Sequence, residues 1–177
     1  MKTHKQIVCK YFQKLIIIGL LLISFNSIGQ ANLKEIRVQG GNVQFIYNTL
    51  SKYTSGIDLV GYTRLNLRFN VTGSSGWILQ LKSSNNDIVS DEGNPNIPIG
   101  SLQIEVASSS FTNDLNTTFN PTFSLSDTYS TFVEGDGGTG NPDIVLGQIV
   151  LTYKLPSMMN WKEGNYSVNL EFLLIEK

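Results

Sequence analysis

Apolar and polar side chains alternate with a period of two through most of this chain, the pattern of strands that bury one face. RLNLRFNVT sets Leu65, Leu67, Phe69 and Val71 on one side and Arg64, Asn66, Arg68, Asn70 and Thr72 on the other. A Gly73-Ser-Ser-Gly76 turn follows, and alternation resumes with Trp77, Leu79 and Leu81. The two runs are expected to pair as a hairpin. SLQIEV, QIVLTYKL and NYSVNLEFLLIEK repeat the pattern further along. Shorter candidates cover 36–38, 43–47, 123–125 and 130–134, and only 48–56 suits a helical turn or two. These runs predict an all-β fold, an antiparallel Ig-like or jelly-roll-like β-sandwich of about eight or nine strands. Two polar stretches, 83–98 and 108–122, are rich in Asn, Ser, Asp and Pro and are expected to be long surface loops that contact partners. A closed outer-membrane barrel is the competing all-β reading. It needs an even number of runs of about ten residues, and the alternation here is shorter and more broken.

The first residues change what counts as the domain. Lys2, Lys5, Lys10 and Lys14 precede an apolar run over 15–25, which small and polar residues follow. That order is a secretory signal peptide, 1–29, with Ser27 and Gly29 as the small residues before a cut at Gln30. The run is 11 residues long, against the roughly 20 that a spanning helix needs. The expected product is an exported chain, 30–177, without a transmembrane span, placed in the periplasm, at the cell surface or outside the cell. At 148 residues, the 177 of the whole less the 29 of the leader, it suits a single domain with a core of its own.

Cleavage also removes chemistry. The chain's one cysteine, Cys9, and its one histidine, His4, both lie in the leader. The mature domain is cysteine-free, so Ser-His-Asp and Cys-His catalysis and the thiolate or imidazole zinc sites are excluded. No Ser-x-x-Lys, Gly-x-Ser-x-Gly or phosphate-cradling glycine loop with lysine occurs. A non-catalytic protein is expected. Four of the 13 basic residues leave with the leader and all 14 acidic ones stay, for a net charge of −5. That balance, with basic residues scattered singly, argues against nucleic acid and other polyanions as partners.

EGDGGTGNPD, 134–143, is the stretch with most chemical potential. Glu134, Asp136, Asn141 and Asp143 offer four oxygen ligands for calcium, on a backbone that four glycines make pliable. The spacing departs from the EF-hand loop. Glycines supply positive φ for turns without any ion, so a plain turn between two strands is the competing reading. If calcium binds, Asp87, Asp91 and Glu92 are expected to join the site. No other cofactor is implied. Trp161, in a turn, is a candidate platform for a sugar ring or equally a cap on the core, whereas Trp77 keeps phase with Leu79 and Leu81 and is expected inside.

The order of pieces, a leader followed by YTSGIDL, LNLRFNV, GWILQLKSS, IPIGSLQIEV and a closing WKEGNYSVNLEF, resembles bacterial surface β-sandwiches of the fimbrial and spore-coat-U-like type. WxL-type surface domains share the loose plan, and Gly164-Asn-Tyr166 is similar to the Gly-x-Tyr opening of a last strand in such domains. The resemblance implies a structural, adhesive or fimbria-like assembly role, with self-association or a protein or surface-glycan partner. It departs from those families in lacking paired cysteines and a WxL signature, and in ending on a full strand rather than awaiting one from the next subunit. The alternative is a calcium- or carbohydrate-binding module.

Overall fold

The computed structural model describes residues 34–70, 76–120, 123–137, 144–157 and 161–177. The leader, its cleavage site, Asn141 and Asp143 lie outside them. From Asn32 onward the chain forms one compact unit.

Among the described residues twelve strands build two antiparallel sheets. In chain order they are β1 (Lys34–Gln39), β2 (Asn42–Tyr47), β3 (Ile57–Asn70), β4 (Trp77–Ser83), β5 (Asp87–Ser90) and β6 (Ile97–Pro98), with a short helix α1 (Leu50–Ser55) before β3. There follow β7 (Gln103–Thr112), β8 (Thr117–Phe119), β9 (Phe123–Ser124), β10 (Ser130–Gly135), β11 (Ile144–Leu155) and β12 (Gly164–Glu176). One sheet has the order β1-β3-β11-β7-β9; the other runs β6-β5-β12-β4-β10-β8, with β2 also pairing β12. From β7 to β12 every successive strand lands in the opposite sheet, the winding of a jelly roll rather than of an Ig domain.

The core follows from the alternation. Leu65, Leu67 and Phe69 of β3, Val145, Ile149, Leu151 and Tyr153 of β11, and Trp77, Leu79 and Leu81 of β4 are all buried between the sheets. Removing these side chains from water stabilises the fold by about 1.5–3 kcal/mol each. Aromatic rings fill one end, where Phe69 and Phe111 lie 5.1 and 5.4 Å from Trp77, centre to centre.

Two expectations change. β3 and β4 do not pair: β3 lies between β1 and β11, while β4 lies between β12 and β10. A glycine turn reports that the chain reverses, not which sheet the next strand joins. There are also more strands than the eight or nine expected, because β5, β6 and β8 form inside the two polar stretches. They are too short and polar to show periodicity and exist through distant partners, β5 on β12 and β8 on β10.

Candidate functional site

β1 and β2 form a nearly continuous strand that changes sheets at Gly40-Gly41, with β1 pairing β3 and β2 pairing β12. β3 and β12 are longer than the partner this strand offers, so each has a stretch with one uncovered side. In β12, residues 164–169 pair with β2, but 170–175 form a ladder with β4 alone, and no described strand pairs with their other edge. In β3, residues 64–69 pair with β1, and among the described strands 57–63 pair with β11 alone.

The β12 edge is apolar and regular. Its pairing with β4 is unbroken from Leu170 to Glu176. Leu170 and Phe172 lean on the core, Leu174 is buried, and Leu173 points outward, 38% exposed. Ile175 also faces outward, beside Ile78 of β4. Glu171 at one end contacts Lys82 at 3.1 Å, and Lys177 at the other contacts Glu134 at 2.9 Å.

The acidic glycine loop is held by the protein itself. Besides the Lys177 contact of Glu134, the Asp136 carboxylate accepts a 2.7 Å hydrogen bond from Asn116. The residue that organises this end is Asp114, which no motif in the sequence marks. It accepts from the Trp77 indole N–H at 3.1 Å, the Gly137 amide at 2.9 Å and the Thr117 hydroxyl. A buried indole requires an acceptor, so the signal was an Asp in a polar stretch of a chain that buries its tryptophan. Gly135 lies directly beneath the indole; a Cβ there would collide with Trp77 and Asp114.

Asp87, Asp91 and Glu92 do not join this loop. Asp91 bonds Asn165 at the start of β12, whereas Glu134 lies beside Ile78, which pairs with Ile175 near its end. At about 3.4 Å per strand residue the two acidic groups stand roughly 30 Å apart. Among the described residues no three His, Cys, Asp or Glu side chains gather as a metal site. No family model and no curated protein sequence matches the chain.

Trp161 is partly buried against the core, and Tyr166 beside it donates to the Lys162 carbonyl at 2.9 Å. Trp77 is fully buried, as its phase predicts. The polar stretches are anchored by their own side chains: Ser90 Oγ accepts from the amides of Glu92 and Asn94, and Asn94 donates to Glu163 across to β12. Among the described residues no helix is long and apolar enough to cross a membrane.

Two tyrosines are buried with no well-formed hydrogen bond to their hydroxyls among the described residues, Tyr47 and Tyr153. Burial, with Tyr166 and Tyr53 nearby, pushes the Tyr47 phenol up to about 12. Burial drives Tyr153 well above the ordinary tyrosine range, opposed in part by the adjacent Thr63 hydroxyl.

Proposed function

We propose that the mature chain is an exported, non-catalytic surface β-sandwich that acts as an assembly component by pairing strand edges. The observation that carries this reading is the edge of β12 over 170–175, which no described strand pairs. Exposed edges template further strands, and natural sheets blunt those not meant to pair. This one is regular, six residues long and apolar but for Glu171.

The occupant that fits it is a second copy of the same strand, antiparallel and centred on Leu174. That register sets Glu171 opposite the partner's Lys177 and Leu173 opposite the partner's Ile175, both on the outward face. Opposite charges and apolar pairs each add about 0.2–1 kcal/mol per cross-strand contact. No like charges meet. A single strand seam is smaller than a standard stable interface, so association is expected to depend on concentration. The fimbrial and spore-coat-U-like resemblance points the same way.

Light scattering after size exclusion on 30–177 tests this, beside the double variant Leu173→Lys, Ile175→Lys. The reading expects a dimer that grows with concentration and a variant that stays monomeric with an unchanged melting temperature. A wild-type monomer at every concentration would remove it. A size or melting temperature that follows calcium would transfer the reading to a calcium module built on Glu134 and Asp136.

A further inference from the structure

All three arginines of the chain, Arg37, Arg64 and Arg68, project from the same outer face of the five-stranded sheet. Register puts them in adjacent rows: Arg68 beside Glu35, Arg37 beside Asn66, and Arg64 beside Gln39. Their charges are only partly neutralised. The Glu35 carboxylate is taken by Arg37 at 2.6 Å, and neither Arg64 nor Arg68 has an acid within ion-pair distance among the described residues. The lysines are used differently, since Lys82, Lys154 and Lys177 each meet a glutamate.

Between Arg37 and Arg68 the sheet surface sinks into an open depression of about 330 Å³, walled by Leu146. Next to it the Asn66 and Gln148 side-chain amides are joined at 3.1 Å, which leaves Asn66 an N–H₂ donor and Gln148 a carbonyl for a ligand. Arg64 and Arg68, four residues apart on one strand, stand about 13 Å from each other along the face. The face is therefore a track of guanidinium groups with amides between them, and Leu146 is the most exposed of its apolar side chains, Ile144 and Val150 being partly buried.

We propose that this face binds a glycan chain carrying carboxylates, such as a polyuronate. Arginine grips a carboxylate through two parallel N–H bonds, and the amides suit sugar hydroxyls. A protein partner is less well matched, because interface centres are apolar and aromatic, whereas Leu146, Ile144 and Val150 on this face are interspersed among guanidinium and amide groups. A single-stranded nucleic acid would need several aromatic rings to stack its bases, and the exposed ring near Arg64, Tyr62, is tied through its hydroxyl to the Asn42 carbonyl. The net charge of −5 argued against polyanions for the chain as a whole; gathering every arginine on one face reverses that locally. The face lies on the opposite sheet from the β12 edge, so the inference does not depend on the assembly reading.

The test is calorimetric titration of 30–177 with polygalacturonate, fully methyl-esterified polygalacturonate and polyglutamate, at low and moderate salt. It is run also on Arg64→Gln, Arg68→Gln and on the control Lys52→Gln, Lys162→Gln. The Leu173→Lys, Ile175→Lys variant is included so that loss of assembly and loss of glycan binding are read separately. The proposal expects binding to polygalacturonate alone, at least tenfold weaker in the double arginine variant and unchanged in the lysine control and the edge variant. Equal binding of polyglutamate would overturn it in favour of an acidic protein or unspecific charge. Absence of polygalacturonate binding, or equal loss in the lysine control, would overturn it outright.

Discussion

β3 and β12 are the two longest strands, 14 and 13 residues, and each loses its outer neighbour part-way because the β1–β2 strand changes sheets. The stretches left uncovered are built in opposite ways. In β3, Val60, Gly61 and Tyr62 bulge out opposite the single residue Thr152, and Gly61 takes a left-handed φ of 62°. The Gly61 amide is closed off by the Thr152 hydroxyl at 3.1 Å. A bulge of this kind twists an edge away from any incoming strand. In β12 the ladder to β4 runs without a bulge from Leu170 to Glu176. Val60 is the more exposed side chain, 76% against 38% for Leu173, yet it sits where no strand can pair. The contrast teaches that exposed apolar area alone does not mark a docking edge; a regular backbone does.

Substitutions can break that contrast. The largest expected effect is at Gly61→Val. Space is not the obstacle, since an added Cβ would meet only Val150 at 3.6 Å, but the left-handed backbone costs an L-residue about 1–2 kcal/mol. Thermal melts should show a clear drop for Val and a smaller one for Asn, which tolerates that conformation. Equal melting temperatures for wild type and Gly61→Val would show that the bulge is not fixed as described.

Next in size, Thr152→Val removes the cap from the Gly61 amide and is expected to cost about 1 kcal/mol by chemical denaturation. If the bulge protects its edge, this variant should also begin to associate through β3 at high concentration. A fully stable, monomeric Thr152→Val would place the protection elsewhere.

A pH series sharpens the comparison, because two buried tyrosines without a well-formed hydrogen bond to their hydroxyls lie beside the β3 bulge and beside the covered start of β12. Tyr153 contacts the bulge through Tyr62, ring centres 6.2 Å apart, and Tyr47 pairs with Gly164 at the start of β12. Both phenols hold their protons more tightly folded than unfolded. Above pH 10 the unfolded chain releases protons that the folded one keeps, so stability is full below pH 10 and falls from there toward 12. Denaturation midpoints measured from pH 8 to 11 should decline only above 10, and Tyr47→Phe should flatten the decline. A midpoint that is constant to pH 11 would contradict the burial.

The smallest effect is expected at neutral pH, where Tyr47→Phe and Tyr153→Phe remove hydroxyls that have no good partner and leave stability unchanged or raised by up to about 1 kcal/mol. Loss of more than that would reveal a hydrogen bond to one of them.

Much of this architecture is legible in the alternation. The phase of Trp77, the core face of β3 and the long final strand all follow from period-two spacing, because burial on one face imposes it. The sheet to which each strand belongs does not, and the expected β3–β4 hairpin failed for that reason. The bulge left a sign in VGYT, a glycine inside a strand, where the clear alternation begins only at Arg64. Asp114 left a weaker one, since its value depends on Trp77 lying 37 positions away in the chain. The arginine face was invisible for a related reason: Arg37 joins Arg64 and Arg68 only through the β1–β3 register. Of the calcium candidates, Glu134 and Asp136 already have protein partners, and nothing in local spacing could foretell that.

Backbone amide hydrogen exchange of 30–177, compared at low and high protein concentration, tests the central claim most directly. The account predicts that amides within 170–175 become slower to exchange as concentration rises, while those of 58–62 do not change. Exchange in 170–175 that is independent of concentration, or protection that appears first in 58–62, would contradict it.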